Sequence, residues 1–286
     1  MNSPARAIVL AGVLALSITG CAAEAEPPRA APSPSASAAF VAGSLAVVGD
    51  SMTLAATACG TPEACVEASW AVGTDPAVDS IADRLAQLEG SRPEVDAIAK
   101  LGARASWARS AVDTLADSPP DIVLVLLGAN DACAASMSEV TPAPDFAADY
   151  LAVLTTIREV APDARVVAYS VPDLLRLWEL GRGDAETVEA WEKSPSCRSL
   201  LAAADSDATA DAERRAEIGA LVTDYNLAIE AACAATAGCT TDQGAVHATR
   251  FEAADISSLD HFHASRAGQA RLAASAWPAV EAALGR

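Results

Sequence analysis

Ser51 is the first residue of the chain whose setting points to chemistry. It lies in Leu45-Ala46-Val47-Val48-Gly49-Asp50-Ser51-Met52. Four apolar residues read as a short buried strand. A glycine after them lets the chain turn, so the serine hydroxyl could sit on a strand-to-helix corner at the sheet's carboxyl edge. A serine nucleophile needs a base, an acid that orients the base, and an oxyanion hole. On its own, Gly-Asp-Ser reads equally well as a turn followed by a helix N-cap. The base must come from His247, His261 or His263, the three histidines of the chain. Asp260 and His263 are three residues apart, just before a helical pattern. That spacing can place a carboxylate on an imidazole nitrogen, where it fixes the tautomer and stabilises the imidazolium. A lone Asp-x-x-His also reads as a capping turn. His261 is the competing base, and its offset of two residues points it elsewhere.

These residues need elements to bring them together. Periodicity predicts strands over residues 45–48, 95–101, 122–127 and 165–170, and a short one near Val246. It predicts helices over residues 77–88, 106–116, 146–160 and 213–235, and a terminal helix that Ser265 caps and Pro278 kinks or restarts. Residues 174–210 read as a polar, partly helical insertion, whose Trp178 and Trp191 either line the pocket or only pack. Alternating strands and helices imply a parallel sheet covered on both faces. Its strands would end on one edge at Gly49-Asp50-Ser51, at Gly102 and at Gly128-Ala129-Asn130-Asp131. The N–H groups of Ser51 and Gly102 and the Asn130 amide could then form an oxyanion hole. Asn130 otherwise reads as a turn asparagine. Asp131 reads as structural.

Composition sets the limits. The chain has 286 residues, a formal charge of −19 and 52% hydrophobic residues. The acidic balance argues against nucleic-acid partners. Residues 1–20 carry Arg6, an apolar run and Ile18-Thr19-Gly20-Cys21. This resembles the bacterial lipobox, which implies a signal peptide and a lipid on Cys21, with an ordinary secretory signal as the alternative. Residues 21–41, rich in Ala, Pro and Ser, read as a disordered tether, and residues 42–286 as the folded domain. No second apolar span follows, so membrane contact is expected through the anchor alone. Export permits disulfides. Besides Cys21, six cysteines remain and allow 15 connectivities. The simplest is sequential: Cys59–Cys65, Cys133–Cys197, Cys233–Cys239. No Cys-x-x-Cys is present and no histidine clusters with the cysteines, so neither a metal nor another cofactor is expected.

Gly-Asp-Ser, Gly102, Gly-Ala-Asn-Asp and Asp-x-x-His, in that order, resemble the SGNH/GDSL hydrolase family from about Leu45 to the end of the chain. The resemblance implies a flavodoxin-like three-layer α/β/α sandwich with a central parallel sheet. It also implies ester hydrolysis through an acyl-enzyme, with Ser51 as nucleophile, His263 as base, Asp260 as its partner, and Ser51, Gly102 and Asn130 as oxyanion donors. The secreted members with three disulfides look most similar, which supports the sequential pairing. The chain departs from the family pattern at Met52, where a leucine is usual, and in Leu101-Gly102-Ala103, which lacks a neighbouring asparagine. Both departures bear on the shape of the pocket. Thr53 stands where a Gly-x-Ser-x-Gly elbow needs glycine. The expectation is a monomeric, exported esterase or lipase acting on acyl or acetyl esters. The alternatives are a carbohydrate O-acetyl esterase and a non-catalytic envelope lipoprotein that keeps the fold for binding.

Overall fold

The strand that leads to Ser51, β1 (Ser44–Gly49), is buried along nearly its whole length. This is what a central strand of a parallel sheet requires. In a computed structural model that describes residues 40–286, the elements follow in order. They are α1 (Ile81–Glu89), β2 (Glu94–Ala99), α2 (Ala105–Ala111), β3 (Ile122–Leu126), α3 (Ala129–Ala132), α4 (Ala143–Val160), β4 (Arg165–Ala168), α5 (Leu174–Gly181), α6 (Ala185–Lys193), α7 (Arg198–Leu201), α8 (Thr209–Ala234), β5 (Cys239–Thr241) and α9 (Arg266–Ala283). The expected signal peptide, Cys21 and all but the last two residues of the tether lie outside the described residues. Among the described residues no helix is long and apolar enough to cross a membrane.

The five strands are parallel, in the order β2-β1-β3-β4-β5. The side-chain period of two divides them between two apolar layers. Ala46, Val48, Val123 and Val125 pack with α2, α4 and α8. Leu45, Val47, Leu124 and Leu126 pack on the other face with α1 and α9. The result is the expected three-layer α/β/α sandwich. Edge strand β2 is half exposed and carries Glu94 and Asp96, charges that discourage pairing with a second sheet. Phe40, at the end of the expected tether, packs against the second layer under the Arg165 guanidinium.

Several elements differ from the sequence expectation. The chain after Ser51 is a loop, as its sequence suggests, so the serine sits on a strand-to-loop corner and not a strand-to-helix one. Residues 51–60 form successive turns, with Ala55 and Thr57 in the left-handed region. Gly49 does not itself take a positive φ. Its need is space, since a methyl group there would strike Thr53. Helix α1 starts four residues late because Ser80 closes a capping box with Asp83. The last strand is Cys239–Thr241, and Val246 sits in the turn after it. The Asp242 carboxylate accepts the Val246 N–H and so curls that segment away from the sheet. Residues 174–210 are mainly helical, as α5, α6 and α7. Helix α9 continues through Pro278 without restarting. Cys59–Cys65, Cys133–Cys197 and Cys233–Cys239 are joined as disulfides.

Candidate active site

Register brings the strand-end motifs together. Gly49 pairs with Ala99 on β2 and with Leu126 on β3, so the three strands stop level. Ser51, Gly102 and Asn130 then follow within a few residues on one edge. Gly128 turns the chain out of β3 with φ 117°, and a side chain there would collide with Val171 and Phe146. This turn opens the short helix α3, which carries Asn130 and Asp131.

The fourth motif arrives from the far end of the chain. Ile256 forms an antiparallel bridge with Ala264, and the Ser257 N–H donates to the His263 carbonyl at 2.8 Å. The loop between them is thereby closed at its base. Within it, Asp260 Oδ1 accepts the N–H groups of Phe262 (3.0 Å) and His263 (3.1 Å). Asp260 Oδ2 lies 2.5 Å from His263 Nδ1. The Asp260 carboxyl is held below the usual carboxylate range. Burial pushes it up, but the His263 ring and the two backbone N–H groups outweigh that effect. With Nδ1 engaged, Nε2 is the ring nitrogen left for a substrate or nucleophile.

Ser51 and His263 line the same two cavities. The Ser51 hydroxyl makes no hydrogen bond among the described residues. Such contacts are often long before substrate binds and close only in the complex. The N–H groups of Ser51 and Gly102 also have no acceptor among the described residues. Asn130 is differently placed: its amide donates to Asp50 Oδ2 (2.9 Å) and to the Ala103 carbonyl (3.1 Å), which occupies both hydrogens. Asp50 also accepts the Met52 N–H at 2.9 Å. Burial raises the Asp50 carboxyl to about 6, against the opposing pull of these donors and of His263. Asp131 is likewise raised to about 6 by burial. It accepts from the Ala105 N–H and the Thr141 hydroxyl, and so ties α2 and the loop after α3 together.

The remaining histidines are occupied elsewhere. His261 Nδ1 lies 2.9 Å from the Thr187 hydroxyl, and the His261 carbonyl accepts from the Trp191 indole. His247 Nδ1 lies 2.9 Å from the Val171 carbonyl. Trp191 is buried against Gly181. Trp178 donates to the Ala204 carbonyl, and the Arg182 and Arg215 guanidiniums each lie 4.5 Å from its ring. Both tryptophans therefore pack, and neither lines a cavity at Ser51. Sequence reading missed the apolar wall formed by Leu174, Leu177, Phe251 and Ile256. Its signal was the run Leu174-Leu175-Arg176-Leu177-Trp178, which has helical spacing inside a segment read as irregular. Among the described residues, the metal-ligating groups that cluster are Cys59, Cys65 and Glu67. Both thiols there are spent on a disulfide.

The residue types that acyl transfer needs share lining: a serine at a strand end and a carboxylate-oriented imidazole line the same two cavities, and the N–H groups of Ser51 and Gly102, both residues of the larger one, have no acceptor among the described residues. The GDSL-like lipase/acylhydrolase family matches residues 47–271. No curated protein sequence matches the chain. Among solved structures, the fold is similar to the psychrotrophic esterase EstA from Pseudoalteromonas sp., with TM-score 0.50 and 14% identity over 85% of this chain and 100% of that one. It is also similar to a protein described as a GDSL-like lipase from Parabacteroides merdae, with TM-score 0.52 and 15% identity over 85% of this chain and 97% of that one.

Proposed function

Because the chain belongs to the GDSL-like lipase/acylhydrolase family, we propose that it is a serine hydrolase of carboxylic esters, with Ser51 as nucleophile, His263 as general base and Asp260 as its orienting partner. The observation that carries this is the His263–Asp260 pair facing the cavity mouth that Ser51 shares. Ser51 Oγ attacks the ester carbonyl carbon while His263 takes its proton. The C–O bond to the alcohol then breaks, and the imidazolium returns that proton to the leaving oxygen. Water repeats the sequence on the acyl-enzyme and frees Ser51. The oxyanion takes the Ser51 and Gly102 N–H groups. Asn130 joins them by exchanging the Ala103 carbonyl for the oxyanion, while Asp50 keeps the amide oriented. No metal enters this sequence.

The lining of the cavities supports an ester of an apolar substrate over an O-acetyl ester of a carbohydrate. Exposed Leu101 and Leu259, 50% and 47% accessible, sit on the rim of the larger one. Exposed apolar side chains at a site suit an apolar substrate or surface. Among the described residues, no Trp or Tyr lines either cavity at Ser51 to stack on a sugar ring. Six cysteines joined in disulfides fit an exported protein. With the lipobox-like Cys21, they support an enzyme anchored by lipid at the outer face of the membrane, to be tested by fatty-acid labelling that Cys21→Ala should abolish.

The test of function compares p-nitrophenyl acetate, butyrate and a long-chain ester on wild type and Ser51→Ala. A loss of at least ~10⁴-fold is expected in the variant, the scale on which removing a nucleophile acts. Equal rates, or no rate in either, would leave the non-catalytic binding reading standing. Failure of a phosphonate to label Ser51 would then decide for it.

A further inference from the structure

The hydrolase reading, on which this inference rests, does not say which half of the ester lies on which side of Ser51. Ser51, Asn130, Cys133, Phe262 and His263 each line two spaces. One is a cavity of about 80 Å³ walled by Leu174, Leu177, Phe251 and Ile256. The other is a groove of about 670 Å³ that carries Gly102, Arg104, Ser196 and Asp260. In two-step acyl transfer the alcohol leaves while the acyl group stays, and water must then reach the same carbon. The larger, more polar groove suits the part that exchanges. It also holds Gly102, so the oxyanion points to that side. The acyl chain is left with the small cavity, whose apolar wall favours each methylene it buries.

That cavity has an end. Leu177 and Ile256 line it and also line a further space of about 260 Å³, which includes Asp184, Thr187 and His261. These two are the residues that the spaces share. We propose that Leu177 and Ile256 form the end wall of an acyl pocket that limits the enzyme to short- and medium-chain acyl esters, of roughly four to eight carbons. About 10–15 Å³ of such space is the least that admits one water-sized group, so a cavity of about 80 Å³ holds at most about eight. Leu177 comes from α5, in the insertion. Ile256 comes from the strand bridge that closes the His263 loop. Chain-length selectivity thus resides outside the strand-end motifs that carry the chemistry.

The experiment measures kcat/KM for p-nitrophenyl esters from acetyl to palmitoyl with wild type, Leu177→Trp, Leu177→Ala and Ile256→Ala. Wild type is expected to peak between four and eight carbons and to fall at least tenfold by twelve. Leu177→Trp, which fills the cavity, should lower the eight-to-two-carbon ratio at least tenfold. Leu177→Ala and Ile256→Ala, which breach the wall, should raise the twelve-to-six-carbon ratio at least tenfold. Ratios within one preparation cancel any loss of folded protein. A wild-type peak at palmitoyl overturns the wall, as do ratios unchanged in all three variants. So does a length effect that follows the alcohol of a series of acetyl esters instead of the acyl chain. No turnover that depends on Ser51, with no labelling by alkylphosphonates of any length, overturns the hydrolase reading itself and the wall with it.

Discussion

His263 and His261 stand two residues apart and face different partners. The His263 ring meets Asp260 at the cavity mouth, whereas the His261 ring meets Thr187 on α6. Only the first can exchange a proton with a group bound at Ser51. His263→Ala should therefore lose about 10³-fold or more in kcat, within the range expected when a general base is removed. His261→Ala should keep activity within about tenfold, because it loses a hydrogen bond and a left-handed backbone preference but no reacting group. Steady-state hydrolysis of a short-chain ester checks both variants. Equal loss in the two would break the assignment of the base.

At the scale of elements, the Cys133–Cys197 bridge connects the end of α3 to the start of α7. Cys133 lies three residues after Asn130 and lines both cavities, and Cys197 lines the groove. The sheet holds Ser51 by register, but α3 is a four-residue helix with little of its own to fix it. Opening this bridge should therefore disturb the site before it unfolds the domain. In a titration with reductant, esterase activity should fall at concentrations that leave far-ultraviolet circular dichroism unchanged. The double variant Cys133→Ala/Cys197→Ala should show the same split between activity and fold. Activity that tracks the unfolding curve would count against this reading.

Across the whole molecule, two carboxyls, Asp50 and Asp131, are buried beneath the site and raised by burial from 3.8 to about 6. A carboxyl raised on folding means that the folded chain holds more protons than the unfolded one between those two values. Its contribution to stability is therefore greatest at acid pH and falls as pH rises from about 4 to 6. Asp131→Asn removes one titration; Asp50 stays in both proteins, but losing the like charge at Asp131 lowers it in the variant, which widens the gap in the same direction. Relative to that variant, wild type should lose up to about 3 kcal/mol between pH 4 and pH 7, at about 1.36 kcal/mol per unit. Urea unfolding at pH 4, 5, 6 and 7 measures the gap. A constant gap, or one that opens in the other direction, would contradict the burial argument. Such destabilising groups are common at sites, where acceptors are held ready at some cost to the fold.

The unbroken apolar runs Leu45–Val48 and Ile122–Leu126 and the alternation of strands with helices already imply a parallel sheet covered on both faces. Ser51, Gly102, Asn130, Asp260 and His263 are legible because each follows a strand end or precedes a helix, where local spacing alone decides what can be presented. The tertiary structure decided what depends on partners far apart in the chain. It set the end of the sheet at Cys239–Thr241, because Asp242 captures the N–H of Val246 and also the hydroxyl of Ser170. It sent both hydrogens of Asn130 to Asp50 and Ala103. It built the apolar wall from Leu174, Leu177, Phe251 and Ile256, which are local neighbours only in pairs or not at all. Local spacing encodes which groups an element presents. The volume between elements is set by long-range packing, which no short stretch of sequence contains.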